Sequence, residues 1–331
     1  MDSARLESRD VSRLKRSYEL ASYFRLMRHR EPTLRDWASM AAALVEYQFL
    51  PHYFGGVPRW RVALRKAVSA RAVPDFAVVG PIKGGSSDLG VHLLSHPCVV
   101  PPLAKEVPDS NPDSWRPYYP SMHEMRRTAG RFGVSRSPYL GPFLHWVDLM
   151  DGLHSVSPRM PIVITLRNPV QRAYSHWKWD CFLAGKKRLE RECYLKTFSA
   201  YVEHALDLFP SCSQSVCGFP LLEVGIYHKA VELWIKRFGR ERVLVIDMAT
   251  YFASRATVLD RIHDFLGIAR TVVSDSPIIN ENPLSLPASD PSTNRLLSEF
   301  YRPYNERLRD LLGEDFGWDG PAMSRALLNS E

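Results

Sequence analysis

Three short apolar runs organise the middle of the chain. Phe76-Ala-Val-Val-Gly80 ends in glycine and predicts a buried strand running into a turn, with a helix following from Ser86 to Leu94. Ile162-Val-Ile-Thr-Leu166 predicts a second buried strand, and Pro169 suits the first turn of the helix behind it. Val243-Leu-Val-Ile-Asp247 predicts a third, and Thr257 to Leu266 reads as a helix closing at Gly267. Strands that alternate with helices predict an α/β fold, a parallel sheet flanked by helices.

The periodicity differs on either side of this region. Residues 1 to about 70 look helical and basic: Thr33-Leu-Arg-Asp36 has the form of a capping box, and Trp37, Met40, Ala41, Leu44, Val45 and Phe49 follow at helical spacing. Pro51 and Gly55-Gly56 break that pattern. The expected organisation is a helical N-terminal extension over 1–72, a main domain over 73–320 and a C-terminal tail over 321–331. The extension either packs on the domain or lies on a membrane surface as a peripheral helix. Ser274 to Ser292, with four prolines, reads as an ordered but irregular loop.

Composition adds little to fold and something to partner. A length of 331 residues fits one large α/β domain with an extension, and 45% hydrophobic residues suffice for a core. Lys and Arg number 43 against 36 Asp and Glu, a net charge of +7 spread along the chain, which favours anionic ligands. Five cysteines (Cys98, Cys181, Cys193, Cys212 and Cys217) form no CxxC and no zinc-type spacing, and an odd count excludes a fully paired framework. The most apolar early run, Trp37 to Val45, stops at Glu46, well short of the ~20 residues that span a bilayer. Acidic Asp2, Glu7 and Asp10 stand where a signal peptide carries a basic flank. The sequence as it stands therefore reads as cytoplasmic, with the Golgi lumen as the alternative if an anchor precedes it.

Two segments carry chemistry. Gly80-Pro-Ile-Lys83-Gly84-Gly85-Ser86-Ser87 joins a strand to a helix through a glycine-rich turn. In such a turn, backbone N–H groups and the helix N-terminus converge on a phosphate. It is not a Walker A loop, because Ser86 stands where that motif has lysine directly after its last glycine. The lysine lies inside the turn, where its ammonium would meet a bridging or leaving oxygen. The second segment, Leu166-Arg167-Asn168-Pro169-Val170-Gln171-Arg172-Ala173-Tyr174-Ser175, leaves a strand and enters a helix. Arg167 offers the planar fork that suits phosphate oxygens, and Ser175 follows two helical turns later. Open α/β sheets bind ligands at the carboxyl ends of their strands, so the two segments together describe a ligand with two separated phosphates.

These motifs resemble those of sulfotransferases that use 3′-phosphoadenylyl sulfate (PAPS), most closely the carbohydrate branch typified by heparan sulfate sulfotransferases and their bacterial relatives. The resemblance covers roughly 74–318 and includes Gly225-Ile-Tyr-His-Lys-Ala-Val-Glu-Leu-Trp234 and Phe300-Tyr-Arg-Pro-Tyr-Asn305. It implies a P-loop-NTPase-like fold and PAPS as co-substrate, with no metal. Lys83 would neutralise the oxygen leaving sulfur while Gly84, Gly85, Ser86 and Ser87 hold the 5′-phosphate. Arg167 and Ser175 would hold the 3′-phosphate. Ala104-Lys105-Glu106-Val107-Pro108 resembles the family's Lys-Glu pair, making Glu106 the catalytic base and Lys105 an organiser of the acceptor site.

After that pair the family usually continues with His and aromatics, whereas Pro108-Asp109-Ser110-Asn111 follows here. His92, His96, His123 and His145 are rival bases. Trp115 to Pro120 and Ser137 to Leu140 fall where the family lines its acceptor cleft, and each aromatic there suits a core role equally. The family's late basic loop is not recognisable between Asn280 and Arg295, leaving Arg295 as a substitute. The implied activity is sulfuryl transfer to a hydroxyl, less readily an amine, of an acceptor such as a glycan, with no nucleic-acid partner implied. Two other readings stay open: a nucleotide-dependent kinase or NTPase, for which Asp247 is the single metal-carboxylate candidate, and a non-catalytic glycan-binding protein. Acceptor identity and oligomeric state are not legible.

Overall fold

The computed structural model describes residues 6–7, 57, 59–68, 70–104, 106, 111–187, 197–210, 218–272 and 286–319. The Thr33 capping box, the Trp37–Phe49 helix, Lys105, Cys193, Cys212, Cys217, most of the proline-rich loop and the C-terminal tail lie outside them.

A run that is apolar at every position suits a strand covered on both faces. That is how β2 (Phe76–Val79), β4 (Ile162–Leu166) and β5 (Val243–Asp247) sit, with almost every residue buried. A fourth strand, β3 (Pro138–Gly141), completes a parallel sheet of order β3-β2-β4-β5. The register sets Val78 beside Leu140 and Val163, and Val163 beside Leu244. The acceptor-cleft expectation for Ser137–Leu140 is corrected here. The backbone of this segment pairs with β2, and Tyr139 is wholly buried, its ring 5.4 Å from that of Trp115. Proline at the first residue of an edge strand costs no ladder hydrogen bond. Elsewhere Leu6–Glu7 forms β1, pairing in parallel with β6 (Thr271–Val272).

Successive strand residues point to opposite faces, and the two cores follow that alternation. Ala77, Val79, Ile162 and Ile164 pack under α5 (Val147–Val156), α8 (His228–Phe238) and the end of α11 (Pro291–Leu312). Phe76, Val78 and Val163 pack under α2 (Ser86–Ser95), α9 (Met248–Ala253) and α10 (Arg255–Leu266). A third cluster joins α6 (Pro169–Lys187) and α7 (Phe198–Leu208) to α11 through Val170, Trp177, Tyr201 and Tyr301. The predicted stop of α10 at Gly267 holds, with φ 63° at that glycine.

Three further helices are α1 (Arg59–Val68), α3 (Pro112–Trp115), which adds Trp115 to the first core, and α4 (Met122–Phe132), whose Phe132 packs against the second. Arg65 of α1 donates to the carbonyls of Pro117 (2.7 Å) and Tyr119 (2.6 Å), pinning α1 to the main domain. α4 opens on a capping box made by Ser121 and Glu124. No helix among the described residues is long and apolar enough to cross a membrane.

Candidate functional site

All four main-sheet strands are parallel, so their carboxyl ends gather along one edge. At the end of β2 the chain turns tightly: the Gly84 N–H donates to the Pro81 carbonyl at 2.9 Å. A Cβ on Gly84 would lie 2.8 Å from that carbonyl oxygen, so only glycine fits. Lys83 (φ 63°) and Gly85 (φ 87°) both take left-handed backbone, which curls the turn back on itself. Gly85 then occupies the N-cap of α2 with no side-chain hydrogen bond to the helix, the geometry that leaves helix N–H groups to an anion. Behind it, buried Asp88 accepts from the Tyr251 hydroxyl at 2.8 Å and faces Arg255 at 3.5 Å.

The second predicted anion segment lies on the adjacent strand. At Gly80 a Cβ would fall 2.3 Å from Thr165 Oγ1 of β4, so the two strand ends approach closely. Arg167 follows β4 half-buried, its carbonyl accepting from the Tyr227 hydroxyl at 2.9 Å. Burial lowers the pKa of its guanidinium. Asn168 Oδ1 accepts from the N–H groups of Val170 (2.9 Å) and Gln171 (3.3 Å), starting α6 just ahead of Pro169. Ser175 sits half-buried further along that helix. The structure thus brings together Lys83 to Ser87 and Arg167 at neighbouring strand ends, with Ser175 on the helix between them and the third core.

Along α6 runs a feature the sequence reading passed over. Arg172 is wholly buried; its Nη1 donates to His176 Nδ1 at 2.9 Å and its Nη2 to the Leu221 carbonyl. His176 is equally buried, with Nε2 4.0 Å from Asp180, which accepts from the Tyr201 hydroxyl at 2.6 Å. With Nδ1 accepting, the imidazole proton resides on Nε2, facing the carboxylate. Desolvation, then the charges of Arg172 and Lys83, push the His176 pKa well below its usual value, so the ring stays neutral. The available signal was Arg, His and Asp spaced four residues apart on the helix of a phosphate motif. One helical turn past Ser175, Trp179 faces the Lys83 turn, its ring centroid 4.8 Å from Lys83 Nζ.

The expected bases separate by environment. Glu106 is half-buried, just beyond the point where the Leu103 N–H donates to the Tyr118 carbonyl at 2.6 Å. Lys105 lies outside the described residues. His92 and His96 are buried in the second core, His92 3.7 Å from Asp88 and His96 bonded to the Ala269 carbonyl at 2.7 Å and the Cys98 N–H at 3.0 Å. His123 is exposed on α4. His145 stands at the sheet's carboxyl edge, Nε2 3.3 Å from the Ile226 carbonyl. Although His145 is exposed as a residue, surrounding protein and Arg172 draw its pKa down to about 4. Asp247 spends its carboxylate on structure: Oδ2 accepts from the Thr250 N–H (2.9 Å) and hydroxyl (3.0 Å), and Oδ1 from the Trp318 indole at 3.1 Å. Among the described residues no group of His, Cys, Asp and Glu is placed to hold a metal ion.

The expected acceptor aromatics are displaced. Trp115 and Tyr119 belong to the core, and Arg116 is exposed beside Asp113. What the edge presents instead is Phe143 stacked on Trp146, centroids 4.5 Å apart and planes within 12°, with Trp146 41% exposed. The Leu144 N–H between them donates to the Gly80 carbonyl at 3.0 Å, fastening this loop to the phosphate turn.

A parallel α/β sheet with a lysine-bearing glycine turn and an arginine at adjacent strand ends is an arrangement suited to the phosphates of a nucleotide. Comparisons with known proteins narrow the class. The model of the sulfotransferase domain matches residues 148–286, a span that contains Arg167 and Ser175. Human heparan sulfate glucosamine 3-O-sulfotransferase 3A1 is 24% identical, over 88% of this chain and 76% of its own length. Human carbohydrate sulfotransferase 15 is 25% identical over 54% of this chain, which spans 34% of that protein. A solved sulfotransferase from Alicyclobacillus acidocaldarius superposes with a TM-score of 0.54 at 25% identity, covering 75% of this chain and 99% of its own. Over most of its length the chain is similar to sulfotransferases.

Proposed function

We propose that this sulfotransferase moves the sulfuryl group of PAPS to a hydroxyl of a carbohydrate acceptor and releases adenosine 3′,5′-bisphosphate. The observation that carries the reading is the pairing of the Lys83 turn on β2 with Arg167 on β4, strand ends that nearly touch at Gly80 and Thr165. Gly84, Gly85, Ser86 and Ser87 hold the 5′-phosphate at the α2 N-terminus, while Arg167 and Ser175 hold the 3′-phosphate. The acceptor oxygen attacks sulfur in line, its proton passing to Glu106. The bond from sulfur to the phosphate oxygen breaks, and Lys83 neutralises the charge left on that oxygen. Lys105 organises the acceptor site beside Glu106. A carbohydrate acceptor is supported by the relatives, which act on heparan sulfate and other carbohydrates, and by the Phe143–Trp146 pair, an apolar face of the kind a sugar ring stacks on.

An assay with [35S]PAPS against glycans, lipids and phenols tests this. Label is expected on a glycan with the wild-type chain. Lys83→Ala abolishes transfer, and Glu106→Ala lowers kcat by roughly 10²–10⁴-fold while leaving affinity for adenosine 3′,5′-bisphosphate unchanged. Transfer of label from ATP with none from PAPS would overturn the proposal.

A further inference from the structure

We infer that Trp179 is a positioning residue for the proposed transfer, holding the Lys83 ammonium over its ring so that the lysine is aimed before the donor arrives. The inference rests on the sulfotransferase reading of Lys83. Lys83 Nζ lies 4.8 Å from the Trp179 centroid, within the range where a cation is attracted to an indole face. The ring is itself braced by buried Phe182, whose centroid lies 5.4 Å away at 29°. Lysine otherwise carries a long, mobile stem, and an ammonium that wanders must be reordered each time the donor binds.

The backbone does the same work from the other end. Lys83 is the one described non-glycine residue with a left-handed φ, so its Cα–Cβ direction is fixed by a conformation that β-carbon-bearing residues avoid. Beneath the pair, His176 is neutral and buried between Arg172 and Asp180, so it contributes no positive charge to repel the ammonium. Position matters as well. Ser175 and Trp179 are four residues apart on α6, hence on one face, so a single helix serves both ends of the donor. One turn addresses the 3′-phosphate and the next aims the group that meets the leaving oxygen.

A double-mutant cycle between Trp179→Leu and Lys83→Ala tests the coupling, read on calorimetric affinity for adenosine 3′,5′-bisphosphate, with kcat compared only among chains that keep Lys83. With Lys83 present, Trp179→Leu is expected to weaken the nucleotide and lower kcat, each by about tenfold, between the values for an exposed and a desolvated cation–π contact. Trp179→Tyr, which keeps an aromatic face, retains most of both. In the Lys83→Ala background Trp179→Leu changes nothing further, because the residue acts only through the lysine. Equal losses in the two backgrounds, or tighter nucleotide binding in Trp179→Leu, would overturn the inference. If Trp179→Leu fails to fold, Trp179→Phe and Trp179→Tyr carry the same cycle: a graded loss with Lys83 and a flat series without it supports the inference, and identical series overturn it. A wild-type chain inert toward PAPS sinks the proposed function. An active wild type with an additive cycle sinks this inference alone.

Discussion

Lys83 holds a left-handed backbone that costs a residue with a β-carbon about 1 kcal/mol, and glycine would occupy it without strain. Lys83→Gly is therefore expected to raise unfolding stability by about 1 kcal/mol in denaturant titration while losing sulfuryl transfer, stability and activity moving in opposite directions. Asp75 makes a different argument at the same scale. Burial lifts its pKa from 3.8 to about 7, with Arg136 and the Ser137 N–H opposing the rise. The folded carboxyl thus keeps its proton where the unfolded one has lost it, so between pH 3.8 and about 7 stability falls as pH rises. Asp75→Asn retains an acceptor for the Ser137 N–H and should flatten that slope in melting experiments across the window; an unchanged slope would assign it to other groups. Sequence singles out Lys83, Arg167 and Ser175 because each belongs to a local strand–turn–helix pattern. Arg172 and His176 escaped because their meaning depends on Leu221, Tyr201 and the third core, which come together only through the tertiary fold.

Elements that carry their own start and stop signals were legible; those defined by partners were not. β2, β4 and β5 announce themselves as unbroken apolar runs, and α10 by its closing Gly267. β3 is four residues bounded by Pro138 and Gly141, and it becomes a strand only because β2 offers an edge. The same pairing draws Tyr139 inward and leaves Phe143 and Trp146 at the carboxyl edge, so the aromatic face this edge presents lies later in the chain than the sequence suggests. α6 depends on its first residues: Asn168 caps it and also donates to the Trp318 carbonyl at 3.4 Å. Asn168→Ala is expected to cost about 1 kcal/mol through the lost cap, and to weaken nucleotide binding because Arg167 precedes that cap directly and Ser175 lies on the helix it starts.

In the whole molecule, the sheet is the rigid reference for both anion segments. Ile164 is fully buried on the face that packs under α5 and α8, beside Val79 of β2 and three residues before Arg167. Ile164→Ala should destabilise the chain by about 2–5 kcal/mol in denaturant unfolding, a loss that saturating adenosine 3′,5′-bisphosphate partly offsets by mass action. The parallel pair of Leu6–Glu7 with Thr271–Val272 carries a practical consequence. Together with the grip of Arg65 on Pro117 and Tyr119, it places structural contacts of the main domain in residues that composition alone would trim away. A chain begun at residue 73 would leave Thr271–Val272 as an unpaired edge, just where the path toward Leu286 and α11 begins. An unpaired edge invites another chain to pair with it. Shortening the protein to its apparent catalytic unit would thus trade a length of helix for a tendency to self-associate.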